Sequence, residues 1–159
     1  MLIQGKLLSY GSDLSEAFEI RKQVFIKEYQ RSESEEFDDQ DSYAMHVIVY
    51  EQGTQNKPVA TGRIVFDGTS CEIGHIAVLE GYRNRQYGDF TVRMLINKAF
   101  TSGIHEVSVT TPGKYTKFFE KIGFSLREAK ENIVPEKEYI MIIRDGDVHT
   151  CCNRKQNIL

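Results

Sequence analysis

Residues 70–111 change their periodicity twice, and that change constrains the fold more than any other part of the chain. SCEIGHIAVL (70–79) reads as a strand. DFTVRMLINKAFTS (89–102) then places Val92, Leu95, Ile96 and Ala99 at spacings of three, four and seven, the pattern of an amphipathic helix, and Gly103 stops it. HEVSVTT (105–111) returns to strand. A strand–helix–strand run of this length calls for two parallel strands joined by a right-handed crossover.

The flanking segments extend the sheet. LIQGKLLSY (2–10) reads as a first strand. Leu14, Ala17, Phe18, Val24 and Phe25 recur at helical spacing, and Asp13 with Glu16 has the spacing of a capping box, which predicts a helix over 13–29. AMHVIVYEQ (44–52), VATGRIVFD (59–67) and 70–79 follow as an antiparallel meander, with turns at GTQNKP and DGT. KYTKFFEKI (114–122) reads as a short helix ending at Gly123, and 124–132 with 136–145 as a closing hairpin. The expected class is mixed α/β. One central sheet of about six or seven strands is antiparallel early and parallel in the middle, with helices on both faces. A single domain is expected over 1–145 and a polar tail over 146–159.

Composition excludes several functions. With 159 residues, 40% hydrophobic and 27% charged, the chain suits one soluble domain. A net charge of −3 lacks the basic footprint of a nucleic-acid partner. No apolar run reaches the length of a membrane span. MLIQGKLLSY lacks the marks of a signal peptide. Cys71, Cys151 and Cys152 form an odd set without CxxC spacing, which reads as reduced thiols and a cytoplasmic location. His149 with Cys151 and Cys152 lacks a fourth ligand, so no metal is expected. ESEEFDDQD (33–41) carries six carboxylates, read either as a solvated loop or as an acidic rim that steers a cationic amine.

YRNRQYGDF (82–90) sits where strand gives way to helix. A helix start leaves backbone N–H groups without intrahelical partners and carries the positive end of the macrodipole. Arg83 and Arg85 add planar cationic donors suited to phosphate, and Gly88 removes a Cβ from the approach. Together these features describe an anion site whose natural occupant is a diphosphate. The alternative is two surface arginines at a helix entry. The loop is neither a Walker loop nor GxGxxG.

IGHIAVLEGYRNRQYGDFTVRML is similar to the acetyl-CoA-binding segment of the GNAT N-acetyltransferase superfamily, where a strand runs into an Arg/Gln-x-x-Gly-x-Gly/Ala loop and a helix. Arg83 matches the first position, Gly88 the last small residue, and Gln86 stands where the first glycine usually does. KFFEKIGF (117–124) resembles the second signature, Phe-Tyr-x-Lys-x-Gly-Phe. VFIKEYQRSESEEFDDQDSYAMH (24–46) resembles the N-terminal helix and acidic loop of a bacterial branch of small acetyltransferases.

The resemblance implies a site. Strands 70–79 and 105–111 would splay to admit pantetheine, with backbone groups of Ile76, Ala77 and Val78 along it. The Ile76 N–H would polarise the thioester carbonyl. Arg83, Asn84, Arg85, Gln86, Tyr87, Gly88 and Asp89 would cradle the pyrophosphate. If Gln86 needs positive φ, it costs about 1 kcal/mol or more. Glu72 is the leading general base, since strict alternation puts it on one sheet face with Ile76. His75, sent by the same alternation to the opposite face, is the runner-up, and His46 and His105 read as packing or surface residues. The family's phenol near the CoA sulfur is Phe119 here. Tyr115, four residues earlier, is its candidate substitute as general acid, and Phe119 would pack along the cofactor arm.

Two functions follow. One is an N-acetyltransferase moving acetyl from acetyl-CoA to a primary amine, either a small molecule or a lysine-like acceptor, in a direct ternary complex. The other is an acyl-CoA-binding module or sensor with little turnover. A homodimer through the final strands is an open alternative.

Overall fold

The computed structural model describes residues 2–130 and 137–150. Seven strands form one sheet in the order β1-β2-β3-β4-β5-β7-β6. They are β1 (Ile3–Leu8), β2 (Met45–Glu51), β3 (Lys57–Asp67), β4 (Ser70–Val78), β5 (Glu106–Pro112), β6 (Ser125–Lys130) and β7 (Glu138–Arg144). The meander β1 to β4 is antiparallel, β4 and β5 are parallel, and β7 returns antiparallel between β5 and β6. The expected mixed α/β sheet is the observed one. The ends of the closing hairpin at 131–136 and the tail from 151, including Cys151 and Cys152, lie outside the described residues.

Among the described residues there are four α-helices: α1 (Ser15–Arg21), α2 (Glu33–Glu36), α3 (Tyr87–Thr101) and α4 (Thr116–Ile122). The helix expected over 13–29 is present, but its second half, Lys22–Glu28, is wound as a π-helix. Asp13 caps the Ser15 N–H at 2.9 Å, while Glu16 accepts from Tyr50 instead of closing a capping box.

The two sheet faces have separate cores. α3 covers one face, where Val92, Leu95, Ile96 and Ala99 meet Val47, Ile64, Ile73 and Val109. α3 lies close to the sheet: a Cβ on Gly62 would stand 2.8 Å from the Leu95 side chain. The first helix covers the other face, packing Ala17, Ile20, Val24 and Phe25 against Leu8, Ile48 and Ala77.

That second face also buries charge. Arg21 lies in the apolar stripe of α1, four residues after Ala17, and is 1% exposed. Its guanidinium lies over the adjoining rings of Phe18 and Phe37 and donates to Glu36 Oε1 (2.8 Å) and Asp41 Oδ1 (2.6 Å). Arg63 of β3 donates to Asp41 Oδ1 (2.8 Å) and Asp38 Oδ1 (2.6 Å). The acidic segment is therefore not six solvated carboxylates. Glu36 and Asp41 are buried, because two arginines from the α1–sheet interface reach them.

Burial raises the Glu36 and Asp41 carboxyls, but their hydrogen bonds and neighbouring cations outweigh it and hold both below their ordinary values. Burial holds His46 below 6.5, so folding favours its neutral form.

Each of these groups binds more protons unfolded than folded, so stability falls with acidification. The loss begins below pH 6.5, where unfolded His46 becomes charged. It steepens as pH falls through and below the ordinary carboxylate values of 4.5 and 3.8. A thermal-unfolding series against pH should show both stages, and His46→Gln should flatten the first. Arg21→Leu takes one cationic partner from each of the buried carboxylates Glu36 and Asp41, leaving them Arg31 and Arg63, and should cost about 3–5 kcal/mol in urea unfolding.

Candidate active site

β4 and β5 are joined by only three residue pairs, Cys71 with Val107, Glu72 with Ser108 and Ile73 with Val109. Beyond Ile73, β4 pairs with β3 alone, and beyond Val109, β5 pairs with β7 alone. The strands thus diverge toward their C-terminal ends, as expected, and open a cleft in the sheet.

Next to the divergence, β4 carries a bulge. Gly74 pairs with Arg63 and Ala77 with Thr61, so His75 and Ile76 together face the single residue Gly62. His75 adopts φ +48, a left-handed conformation that turns the chain locally. One extra residue reverses the alternation. Ile76 packs into the α3-side core, its Cγ1 lying 3.4 Å from where a Cβ on Gly62 would stand. Ala77 belongs to the opposite core. Glu72 shares the Ala77 face, since its partner Val65 is in phase with Thr61. Glu72 and Ile76 therefore lie on opposite faces, and His75 turns toward the α1 side, where its Nδ1 lies 2.7 Å from Glu36 Oε1. The expected pairing of faces fails because alternation holds only in an unbroken ladder. Glu72 is exposed and accepts from Thr110 Oγ1 at 3.0 Å.

The loop after β4 delivers α3 to the mouth of this cleft. Asn84 and Gln86 both sit at positive φ, +60 and +68. Gln86 is the N-cap of α3 and makes no side-chain capping bond. The helix ladder opens with Phe90 N–H donating to the Gln86 carbonyl, so the amides of Gly88 and Asp89 precede it. Gly88 borders Val78 and Phe118, with ordinary contact distances of 3.5 and 3.6 Å for an added Cβ. The loop thus presents backbone donors and a helix dipole, which fits a diphosphate.

The arginine side chains are engaged elsewhere. Arg83 donates to both oxygens of Glu28 (2.6 and 2.7 Å) and, through Nε, to the Val78 carbonyl (3.0 Å). Arg85 donates to Glu51 at 2.7 Å, and the buried Tyr87 donates its hydroxyl to the same carboxylate at 2.9 Å. Asp89 is paired with Arg93 at 2.6 Å. With these side chains paired, the donors the loop offers an anion are backbone amides at the helix start. Glu28, whose carboxyl is held low by the Arg83 hydrogen bond, was not identifiable from sequence spacing, being 55 residues away from its partner.

Across the mouth, the hydroxyls of Tyr29 and Tyr115 lie 3.0 Å apart, and Lys114 Nζ lies over both rings. Tyr115 is 37% exposed, whereas Phe119 is 4% exposed and packs edge-to-face with Phe118 and Phe124. Phe118 is the ring beside Gly88. Two depressions lie away from the cleft, one between α1 and α2 and one around Gly123 and His149. Among the described residues no group of three or more His, Cys, Asp or Glu side chains is arranged for a metal. No described helix is long and apolar enough to cross a membrane.

Residues 14–124 match the Acetyltransferase (GNAT) family. The chain is 30% identical over 135 residues to YyaT of Bacillus subtilis, covering 82% of this chain and 89% of that protein. Its fold is similar to Escherichia coli ElaA, with a TM-score of 0.74 and 18% identity, covering 89% of this chain and 99% of that one. It is also similar to a GNAT family acetyltransferase from Elizabethkingia anophelis with acetyl-CoA bound, with a TM-score of 0.69 and 14% identity, covering 89% and 97%. A sheet opened between β4 and β5, with an uncapped helix start at its mouth, is thus accompanied by a match over most of the chain. The protein belongs to the GNAT acetyltransferase family, whose enzymes transfer an acyl group from acyl-CoA.

Proposed function

We propose that this enzyme transfers acetyl from acetyl-CoA to a primary amine within a ternary complex. The observation that carries the reading is the uncapped start of α3 at the mouth of the β4–β5 cleft. The backbone around Gln86, Gly88 and Asp89 would hold the pyrophosphate, as Arg83, Asn84, Arg85 and Tyr87 shape the loop. Pantetheine would lie along Ile76, Ala77 and Val78, with the Ile76 amide polarising the thioester carbonyl. The Elizabethkingia relative, with acetyl-CoA bound, supports this donor.

Direct transfer is supported by the state of Cys71. It is 3% exposed, and burial pushes its thiol up to about 12, so it is no acyl-accepting nucleophile. A lysine-like amine is neutral in only about one molecule in 2,500 at pH 7, a penalty of about 4.6 kcal/mol, so a proton acceptor is required. Glu72 and His75 are the groups on the α1-side face able to serve. Glu33, Glu35 and Asp39 remain exposed in the acidic segment and favour a cationic acceptor. Tyr115 would return a proton to the departing sulfur. A CoA-type thiol, at about 8.5, also leaves without strong acid help.

A second reading, an acyl-CoA-binding module with little turnover, is favoured by the buried Phe119 in place of the family's phenol. Thiol release from acetyl-CoA, measured with spermidine, glucosamine and a lysine peptide, separates the two. Release with at least one amine, together with a CoA-induced rise in Tm, is expected. A rise in Tm without release supports the module, and no rise contradicts both. For the loop, Gln86→Gly should preserve stability and CoA binding, since glycine accepts φ +68. Gln86→Val should lose about 1–2 kcal/mol and weaken CoA binding measured by calorimetry.

A further inference from the structure

We propose that His75, held by Glu36, is the proton acceptor for the amine; this rests on the transfer reading above. His75 occupies the bulge itself, beside Ile76 and beyond the last β4–β5 pair. Glu72 lies before the divergence, paired with Ser108, with its carboxylate bonded to Thr110. His75 is the better placed of the two for an amine approaching a thioester at Ile76.

The surroundings set its tautomer. Glu36 is fully buried and its Oε1 lies 2.7 Å from His75 Nδ1. Arg21 donates to the same carboxylate oxygen at 2.8 Å and Arg31 to the other at 3.3 Å, so the acceptor is held in place. A carboxylate at that distance requires Nδ1 to carry the hydrogen, which leaves the lone pair on Nε2. Arg21 Nη2, 3.1 Å from Nδ1, then donates to the Glu36 carbonyl at 2.5 Å. Nε2 has no partner among the described residues, and the side chain is 17% exposed. A carboxylate, an oriented imidazole and an accessible ring nitrogen form an acid–base unit.

The charges around the ring come from each neighbouring element. Arg21 of α1 opposes the imidazolium, Glu36 of α2 favours it, and Asp38 adds a further attraction from the acidic segment. Arg63 of β3 is neutralised by Asp38 and Asp41, and Phe25 presents its ring at a centroid distance of 6.3 Å. In the transfer, Nε2 takes one proton from the ammonium, giving neutral amine and imidazolium. The amine lone pair forms the N–C bond. As the C–S bond breaks, its electron pair leaves on sulfur, and a second nitrogen proton passes to that sulfur. The imidazolium then releases its proton to solvent, leaving amide, CoA thiol and one proton.

The test uses His75→Gly, which suits φ +48 and leaves a ring-sized space, with His75→Asn as a second variant tolerant of that backbone. Acetyl-CoA and the amine that wild type turns over best are the substrates. Both variants should keep the CoA-induced Tm rise and lose about 100-fold or more in kcat/KM. The acid limb of the wild-type kcat/KM–pH profile should disappear in both, and added imidazole should restore part of the His75→Gly rate. Retention of the acid limb in either folded variant, or its loss in Glu72→Gln instead, overturns the proposal. A wild type that binds CoA and turns over no amine overturns both this and the transfer reading, so the two failures are distinct.

Discussion

Three residue pairs hold β4 to β5, and the rest of the molecule is arranged around where that pairing stops. A parallel pair needs a crossover, and a right-handed crossover puts α3 on one face with its N-terminus above the C-terminal end of β4. When the strands part, the helix start faces an opening instead of a closed sheet. Backbone donors and cleft thus come from one topological constraint, and β7 pairs along the far side of β5, so the unpaired edge of β5 faces the cleft.

The bulge at His75 converts that opening into two differently furnished sides. Without it, Ile76 would face the first helix and His75 the α3 core. With it, an apolar residue completes the α3 core, and an imidazole joins a buried cluster of Arg21, Glu36, Asp41 and Arg63. Such a cluster is a weak source of net stability, because desolvation opposes its attractions. It does hold the acidic segment against the sheet in one geometry. The π-wound turn after α1 continues this arrangement, ending at Glu28 and Tyr29, which meet Arg83 and Tyr115 across the mouth.

Much of this frame was legible in the chain. The helix stripe at Val92, Leu95, Ile96 and Ala99 proved to be the core face of α3, and the strained cap at Gln86 was foreseeable from a glutamine in a glycine's place. Arg21 also left a trace, since it falls within the apolar stripe of the first helix, where a charge must find a buried partner. Which carboxylates it would find was not legible. Glu36 and Asp41 are 15 and 20 residues away, and neighbours such as Glu33 and Glu35 look the same in sequence.

By itself the sequence determined the element order, the parallel pair and the helix start that follows it, because periodicity and breakers act over a few residues. The tertiary structure alone decided which side of the sheet each β4 side chain occupies. A bulge depends on the register between two strands, and one inserted residue reverses every face beyond it. It also decided that Arg83 and Arg85 would meet Glu28 and Glu51, since charge pairing over such separations follows from packing.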